Sequence, residues 1–277
     1  MDALTRPIVL LTDFGLHDHY VGQMKCVLAS IAPRAQLIDL SHEVEPYAVD
    51  EGAWMLETTL PVLPEDAVVL AVVDPGVGTS RRPLAVQSGR RTWIGPDNGL
   101  LSPAFPVELR RGLPGPTRVT ITNHTGFDVH EIRETSYLRA ARSHTFHGRD
   151  IFAPAAAHIA NGLDYHNLGP AVSEVVLLPE CCAAPERFGE IRGYVVHIDR
   201  YGNLLTTIRA NQLFPSFELQ VNGATIDRHV RTFADAPPGQ PFCHVDSSGY
   251  IAIAMKEASV ADHLGVSRGA EVRVRAR

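Results

Sequence analysis

A carboxylate and a guanidinium share the short segment DPGVGTSRR, which contains Asp74 and Arg81. Further along the chain, the segment TFHGRDIFAP places His147 beside Gly148 and ahead of a helix-like run. Carboxylates and imidazoles transfer protons in catalysis, and a guanidinium can orient their partners. Asp74 and Arg81 alone would be explained equally well by a structural ion pair. With His147 as a third partner, the set predicts acid–base chemistry.

The glycines of DPGVGTSRR resemble those of a loop that cradles an anion. The segment nevertheless lacks the lysine of the GxxxxGK[ST] pattern and the spacing of the GxGxxG pattern. We therefore do not expect a nucleoside triphosphate or a dinucleotide to bind here.

Another carboxylate, Asp13, ends the apolar run of LLTDFG, where it could accept two hydrogen bonds from the diol of a ligand. Its alternative role is to cap the helix that follows. The neighbouring His17, Asp18 and His19 are residue types that bind metals. However, a chain with 13 histidines has such neighbours by chance, and neither HExxH nor CxxC occurs. The sequence therefore predicts no metal site.

A second group of polar residues lies in HIDRYGNLLTTI, where Asp199, Tyr201 and Asn203 surround a Tyr-Gly turn. An asparagine amide can both donate to and accept from a purine edge, and an aspartate can hold a cation. An Asx turn that serves only the backbone is the alternative. The later segment HVDSSGYIAIA adds two hydroxyls, Ser247 and Ser248.

The elements that carry the first group alternate between strand and helix patterns. Apolar runs predict strands over 7–15, 35–42 and 67–78, and helical spacing predicts helices over 20–33 and 48–64. Short apolar strands separated by helices are typical of a parallel sheet covered on both faces. Ligands bind at the carboxyl ends of such strands, where Asp13 and Asp74 fall.

The pattern changes towards the C-terminus. Residues 1–178 are predicted to form an α/β domain with a largely parallel central sheet. Residues 179–191 have turn residues without periodicity, so they are expected to be a linker. Residues 192–277 contain short strand patterns separated by Asn-Gly, Pro-Gly and Ser-Gly turns. They predict a small, barrel-like all-β domain.

Composition narrows the class of protein. The chain has 277 residues, 45% of them hydrophobic, and a formal charge of −6 without a basic cluster. Nucleic acid is therefore not an expected partner. No apolar run approaches the roughly 18 residues of a membrane span, and the N-terminus has no pattern of a signal peptide. The four cysteines include no CxxC pair, which favours reduced thiols and a cytoplasmic location.

Seven segments in order resemble the SAM hydroxide adenosyltransferase family of adenosine-forming S-adenosyl-L-methionine (SAM) hydrolases, which is related to the fluorinases and chlorinases. They are LLTDFG, HEVEPYAVDEGA, VVDPGVGTSRRPLAV, GPDNGLL, TFHGRDIFAPAAAH, IDRYGNLLTTI and SSGYIAIA. The resemblance implies an N-terminal α/β domain, a C-terminal β-barrel and a homotrimer. It also implies active sites between the N-terminal domain of one subunit and the C-terminal domain of the next.

The resemblance assigns roles to individual residues in the N-terminal part. Asp74, Arg81 and His147 match the Asp-Arg-His triad of the family members that use water. Asp13 matches the carboxylate that holds the ribose hydroxyls, and Tyr47 matches an aromatic residue that lines the substrate. Gly148, beside the triad histidine, is expected to contact substrate as well.

In the C-terminal part, the resemblance implies that Asp199 holds the methionine amine, Asn203 the adenine edge and Ser247 the methionine end. Tyr201 and Ser248 complete the expected binding set. Ser248 replaces an arginine that fluorinase-like enzymes place near the substrate carboxylate, so this sequence departs from their pattern there.

The implied reaction is attack of water on C5′ of the ribose, which releases adenosine and L-methionine. Methionine leaves as a neutral thioether, so no general acid, metal or other cofactor is required. Two alternatives remain: a halide-using transferase on the same fold, and a sensor that binds SAM or adenosine without catalysis. A carboxylate and an imidazole in the site argue against a halide.

Overall fold

The computed structural model describes residues 5–122, 124–181, 184–187 and 189–277 of the chain. The chain divides into two compact units, one ending at Glu180 and the other beginning at Cys181. Cys26, Cys181 and Cys243 are free thiols. Cys182, the other member of the adjacent cysteine pair, lies outside the described residues.

The first unit is built on a six-stranded sheet with the order β2-β1-β3-β5-β4-β7. Strands β1, β2, β3 and β5 run parallel, and β4 pairs antiparallel with both β5 and β7. A two-stranded antiparallel sheet of β6 and β8 accompanies it. The strands are β1 (Ile8–Thr12), β2 (Leu37–Ser41), β3 (Val68–Val72), β4 (Pro83–Ser88), β5 (Arg91–Pro96), β6 (Thr117–Thr120), β7 (Phe127–Glu131) and β8 (Glu174–Leu177).

Helices cover both faces of this sheet, as the continuous apolar strands predict. They are α1 (Tyr20–Ile31), α2 (Val49–Thr59) and α3 (Ala153–Ala160). Successive residues of a strand point to opposite faces. Val9 accordingly packs in the core that contains Leu56 of α2. Its neighbour Leu10 packs in the core that contains Met24 of α1 and Ala156 of α3.

The second unit is an antiparallel, nearly closed barrel-like sheet with the order β13-β12-β16-β10-β11-β15-β14, and β9 pairs with β10. One short helix, α4 (Val260–Leu264), follows β15. The strands are β9 (Ala184–Arg187), β10 (Glu190–Ile198), β11 (Leu204–Arg209), β12 (Phe217–Val221), β13 (Ala224–Ile226), β14 (Phe242–Val245), β15 (Tyr250–Ala254) and β16 (Glu271–Ala276). The predicted fold class, an α/β unit followed by an all-β unit, is confirmed.

The segment 179–191, expected to be a linker, contains β9 and the first residues of β10. Strand β9 is made by backbone pairing of 184–187 with β10. Such pairing needs no apolar periodicity, so the sequence pattern did not show it. Within the described residues, no helix is long and apolar enough to cross a membrane.

Candidate active site

The loop after β3 carries Asp74 and Arg81. The completely buried strand β3 ends at Val72, and the chain turns in the segment that follows. Gly78 makes part of this turn with a φ of 78°. A Cβ atom at Gly78 would lie 2.8 Å from the carbonyl oxygen of His144. A glycine is therefore required for this loop to pack against the segment that leads to His147.

Arg81 joins the other two residues of the expected triad. Its Nε donates to Oδ1 of Asp74 at 2.9 Å, and its Nη2 donates to Oδ2 of the same carboxylate. The same Nη2 lies 2.7 Å from Nδ1 of His147. The side chains of Arg81 and Asp74 are only 9% and 5% exposed. The ion pair expected from the sequence therefore exists, and it extends to the imidazole.

This contact defines the protonation state of His147. Because arginine can only donate, Nδ1 of His147 must accept, and the neutral ring then carries its proton on Nε2. Burial lowers the pKa of His147 below its ordinary value, and the positive charge of Arg81 lowers it further, against the opposing effect of Asp74. His147 is thus neutral near pH 7 and offers an Nε2–H donor.

A π-helical turn, Gly148–Phe152, follows His147 and leads into α3. Such turns occur frequently at functional sites. The buried Asp150 holds the turn by accepting from the Ser143 backbone N–H at 2.8 Å and from Arg149 Nε at 2.7 Å. A Cβ atom at the buried Gly148 would lie 3.3 Å from Met24 Sδ and from the ring of Phe14. Even alanine would crowd this wall.

A cavity of about 260 Å³ connects these groups, and its wall includes Asp13, Tyr47, Asp74, His147 and Gly148. Asp13 Oδ2 accepts from the Tyr47 backbone N–H at 3.0 Å. Burial raises the pKa of Asp13, an effect opposed by that hydrogen bond and reinforced by the charge of Asp74. Tyr47 is 73% exposed, and its backbone has a φ of 71°. Thus five of the six N-terminal residues expected in the site line this cavity, and the sixth, Arg81, is hydrogen-bonded to Asp74 and His147.

The sequence interpretation missed three aromatic residues of this wall, Phe14, Tyr20 and Phe146. The ring of Phe146 packs edge-on against Phe14 at 5.8 Å and against Tyr20 at 5.3 Å. Phe14 and Phe146 directly adjoin Asp13 and His147 in the sequence, and that adjacency was the available signal. The rings give the cavity an apolar side that can exclude bulk water.

In the second unit, Asp199 organises the turn that leads into β11. Its Oδ1 accepts from the backbone N–H groups of Tyr201 and Asn203, both at 2.9 Å. Its Oδ2 accepts from Nδ2 of Asn203 at 2.8 Å. Asp199 therefore forms the Asx turn that was considered as an alternative, and it also orients the amide of the buried Asn203.

A second cavity, of about 580 Å³, is lined by Tyr201 and Asn203 together with Phe233, Met255 and Glu257, among others. Tyr201 is 78% exposed at its edge. Phe233 and Met255 come from distant parts of the chain, so no local sequence pattern could have indicated them. The cavity joins an apolar surface to one oriented amide, a combination that suits a flat heterocyclic base.

Ser247 and Ser248 lie elsewhere in the second unit, in the exposed turn between β14 and β15. Asp246 closes this turn by accepting from the backbone N–H groups of Ser248 at 2.8 Å and Tyr250 at 2.9 Å. Neither serine belongs to the described wall of the cavity around Asn203, and neither does Asp199. The second unit alone therefore does not bring its five expected binding residues together.

A hydrogen-bonded group of carboxylate, guanidinium and imidazole beside a cavity of an α/β unit is typical of an enzyme that acts on a small molecule. Residues 8–169 match the SAM hydroxide adenosyltransferase N-terminal domain, and residues 193–273 match the C-terminal domain of the same family. The chain belongs to the SAM hydroxide adenosyltransferase family.

Named relatives agree with this assignment. The chain is 40% identical to an (R)-S-adenosyl-L-methionine hydrolase of Thermus thermophilus, over 97% of this chain and 99% of the relative. A fluorinase of Actinopolyspora mzabensis is 28% identical, over 99% of this chain and 98% of the relative. The crystal structure of a conserved protein from Thermotoga maritima superimposes with a TM-score of 0.83 at 30% identity, covering 98% of this chain and 100% of that one.

Proposed function

We propose that this protein is a SAM hydrolase that converts SAM and water into adenosine and L-methionine. The observation that carries the proposal is the hydrogen-bonded group of Asp74, Arg81 and His147 beside a cavity that also contains the Asp13 carboxylate. Relatives of nearly the same length that are 40% identical are named (R)-S-adenosyl-L-methionine hydrolases. The family and these names point to the same chemistry as the geometry.

In the proposed reaction, a bond forms between the water oxygen and C5′ of the ribose while the bond between C5′ and sulfur breaks. The bonding electrons pass to the positively charged sulfur, so methionine leaves as a neutral thioether and one proton is released from the water. The protein must therefore position water in line with the breaking bond and accept a proton. It has no need to protonate the leaving group.

His147 and Asp74 are suited to these two tasks. The Nε2–H of neutral His147 can donate to the water oxygen and leave an oxygen lone pair for attack. Each Asp74 oxygen already accepts from Arg81 and retains a further acceptor position for the water proton. Arg81 acts through its neighbours, because it fixes the Asp74 carboxylate and the tautomer of His147 at once.

Asp13 and Tyr47 are proposed to bind the ribose. The Asp13 carboxylate uses one hydrogen bond to hold the backbone of Tyr47, and its remaining acceptor positions suit the two ribose hydroxyls. Asn203 and Tyr201 are proposed to bind the adenine base, with Asp199 orienting Asn203. Ser247, Ser248 and Asp199 remain the proposed contacts of the methionine portion.

A homotrimer, with active sites shared between neighbouring subunits, is part of the same proposal. Its support is the family assignment together with the division of the expected ligands between two units, each with its own cavity. The cytoplasm is the proposed location, and the free thiols Cys26, Cys181 and Cys243 are typical of a reducing compartment.

The reaction can be tested by incubating the purified protein with SAM in ¹⁸O-labelled water and separating the products. We expect equal amounts of adenosine and methionine, with one ¹⁸O atom in the 5′-hydroxyl of adenosine. A 5′-halonucleoside formed in the presence of chloride or fluoride would support a halogenase instead. SAM that binds and stays intact would indicate a sensor.

A further inference from the structure

Three side chains outside the cavity of the first unit converge at the edge strand β7. Asp128 and His130 are two residues apart on β7, so they lie on the same face of the strand. His166 comes from the 3₁₀ turn Tyr165–Leu168, which follows α3. Their three potential ligand atoms lie within 4.8 Å of one another. None of these residues belongs to the wall of the cavity around Asp13 and His147.

Hydrogen bonds on the far side of each imidazole fix which nitrogen faces the cluster. His130 Nδ1 lies 2.7 Å from the carbonyl oxygen of Gly169, and His166 Nδ1 lies 2.5 Å from Oδ1 of Asp164. Because these oxygens only accept, each Nδ1 carries a proton. In the neutral form of each ring the lone pair is then on Nε2, and both Nε2 atoms lie 3.4 Å from Oδ2 of Asp128.

Both Nε2 atoms approach the same carboxylate oxygen, Asp128 Oδ2, which also accepts a hydrogen bond from the Tyr165 hydroxyl at 3.3 Å. A cation placed between the two nitrogens and this oxygen would have all three as ligands. Protons on the two Nε2 atoms would form charge-assisted bonds of about 2.7–2.9 Å to Asp128. The observed separations are longer. They match the edge of a tetrahedron around zinc, which is about 3.3–3.4 Å for zinc–ligand bonds of about 2.0–2.1 Å.

We propose that Asp128, His130 and His166 form a binding site for one divalent transition-metal ion, with Zn²⁺ as the preferred ion. Imidazole and carboxylate ligands suit this ion, and three protein ligands leave a fourth position for water. Asp164 and the Gly169 carbonyl supply the outer hydrogen bonds that orient the histidines of metal sites. The burial is graded from the enclosed His130 to the exposed His166, which gives an ion access from solvent.

The bound ion would fasten the segment after α3 to the edge of the main sheet. The approach of that segment is already close, because a Cβ atom at Gly169 would lie 2.2 Å from the carbonyl oxygen of Glu131. An ion that binds only the folded form stabilises it in proportion to the logarithm of its concentration. The role is structural, so it is independent of the proposed SAM hydrolysis.

The test is a calorimetric titration with Zn²⁺ of the full-length protein, from which tags have been removed and metals stripped by a chelator. We expect one Zn²⁺ per chain for the wild type. His166→Gln and Asp128→Asn, which remove ligands at accessible positions, should weaken binding about 100-fold or more. Asp164→Asn, which keeps all three ligands, should weaken it about 10- to 100-fold. His263→Gln removes an exposed imidazole from α4 and should bind like the wild type.

Substitution with Co²⁺ gives a second measurement, because a four-coordinate Co²⁺ ion produces visible absorption bands that a loosely bound ion does not. The bands should appear in the wild type and be absent in His166→Gln. Less than one equivalent of Zn²⁺ in the wild type would overturn the proposal. Equal affinity in His166→Gln and the wild type would overturn it too, as would equal weakening by the control His263→Gln. None of these measurements depends on whether SAM is hydrolysed.

Discussion

Arg81 connects the two residues that are proposed to handle water. One of its nitrogens serves both the Asp74 carboxylate and the His147 ring, so removal of any one member changes the other two. Asp74 is almost fully buried, and truncating it would leave the guanidinium without its counter-charge. Isosteric substitutions therefore separate chemistry from folding better than alanine does.

Asp74→Asn keeps the size of the side chain and one acceptor for Arg81 but removes the proton acceptor. We expect kcat to fall about 10²- to 10⁴-fold, because general-base catalysis contributes on this scale. The KM for SAM should stay within about tenfold, since Asp74 is not proposed to bind the substrate. Steady-state kinetics, with thermal unfolding as the control for folding, measures both. A near wild-type kcat would remove Asp74 from the mechanism.

The pH dependence should reflect a neutral His147. Its pKa is lowered by burial and by Arg81, so protonation occurs only below its ordinary value of about 6.5. Protonation removes the acceptor for Arg81, and activity should therefore fall as the pH decreases through this lowered pKa. Plots of kcat against pH for the wild type and His147→Asn test this, since the variant should not show the decrease in kcat at acidic pH.

Asp13 also titrates on the acidic side, because burial raises its pKa. Asp13→Asn serves as the control that separates the two groups. A decrease in kcat at acidic pH that remains in Asp13→Asn and is absent in His147→Asn reports the titration of the histidine. Activity that decreases with rising pH in this range would instead require a protonated His147.

Asn203→Ala should weaken the binding of both SAM and adenosine. Loss of a buried hydrogen-bonding group typically costs about 1–3 kcal/mol, or about 5- to 150-fold in affinity. Calorimetry with adenosine measures the affinity for the nucleoside without the methionine portion of SAM. An unchanged adenosine affinity would mean that Asn203 serves only the turn that it forms with Asp199.

Among the elements, apolar runs were sufficient to predict β1 and β3, because buried parallel strands have a strong local pattern. Helical spacing predicted α1 and α2. Asp13 and Asp74, which follow β1 and β3, line one cavity. Strand β9 was not predicted, because its pairing with β10 uses backbone hydrogen bonds and leaves no pattern of apolar side chains. The proximity of Asp128 and His130 to His166 was not predicted either, because the fold brings together segments that are distant in the sequence.

The loop after β3 offers a test of how an element positions the site. Gly78 and Gly89 both have positive φ values, but only Gly78 would place a Cβ atom against a neighbouring backbone oxygen. Gly89→Ala should therefore lose about 1 kcal/mol of stability from its φ alone. Gly78→Ala should lose more and should also lower kcat, because Asp74 and Arg81 belong to the same loop. Chemical unfolding and kinetics of the two variants compare these effects, and equal losses would contradict the role given to His144.

For the whole molecule, the decisive property is that the expected ligands are divided between two compact units. The first unit has the group proposed to handle water, and the second has the amide proposed to bind adenine. The family resemblance predicts that the two halves of one active site come from neighbouring subunits of a homotrimer. Such head-to-tail contacts place complementary surfaces of one chain on different neighbours.

Shared sites predict that two impaired variants partly restore each other's activity when they assemble together. Asp74→Asn damages the first unit and Asn203→Ala the second, so a mixed trimer contains some sites built from two intact halves. With random assembly of equal amounts, about a quarter of the sites should be intact. Co-expressed, doubly tagged variants, assayed at SAM concentrations far below the KM of Asn203→Ala, should therefore show activity above that of either homotrimer. Sites contained within one chain would show no recovery, because every chain then carries one damaged half.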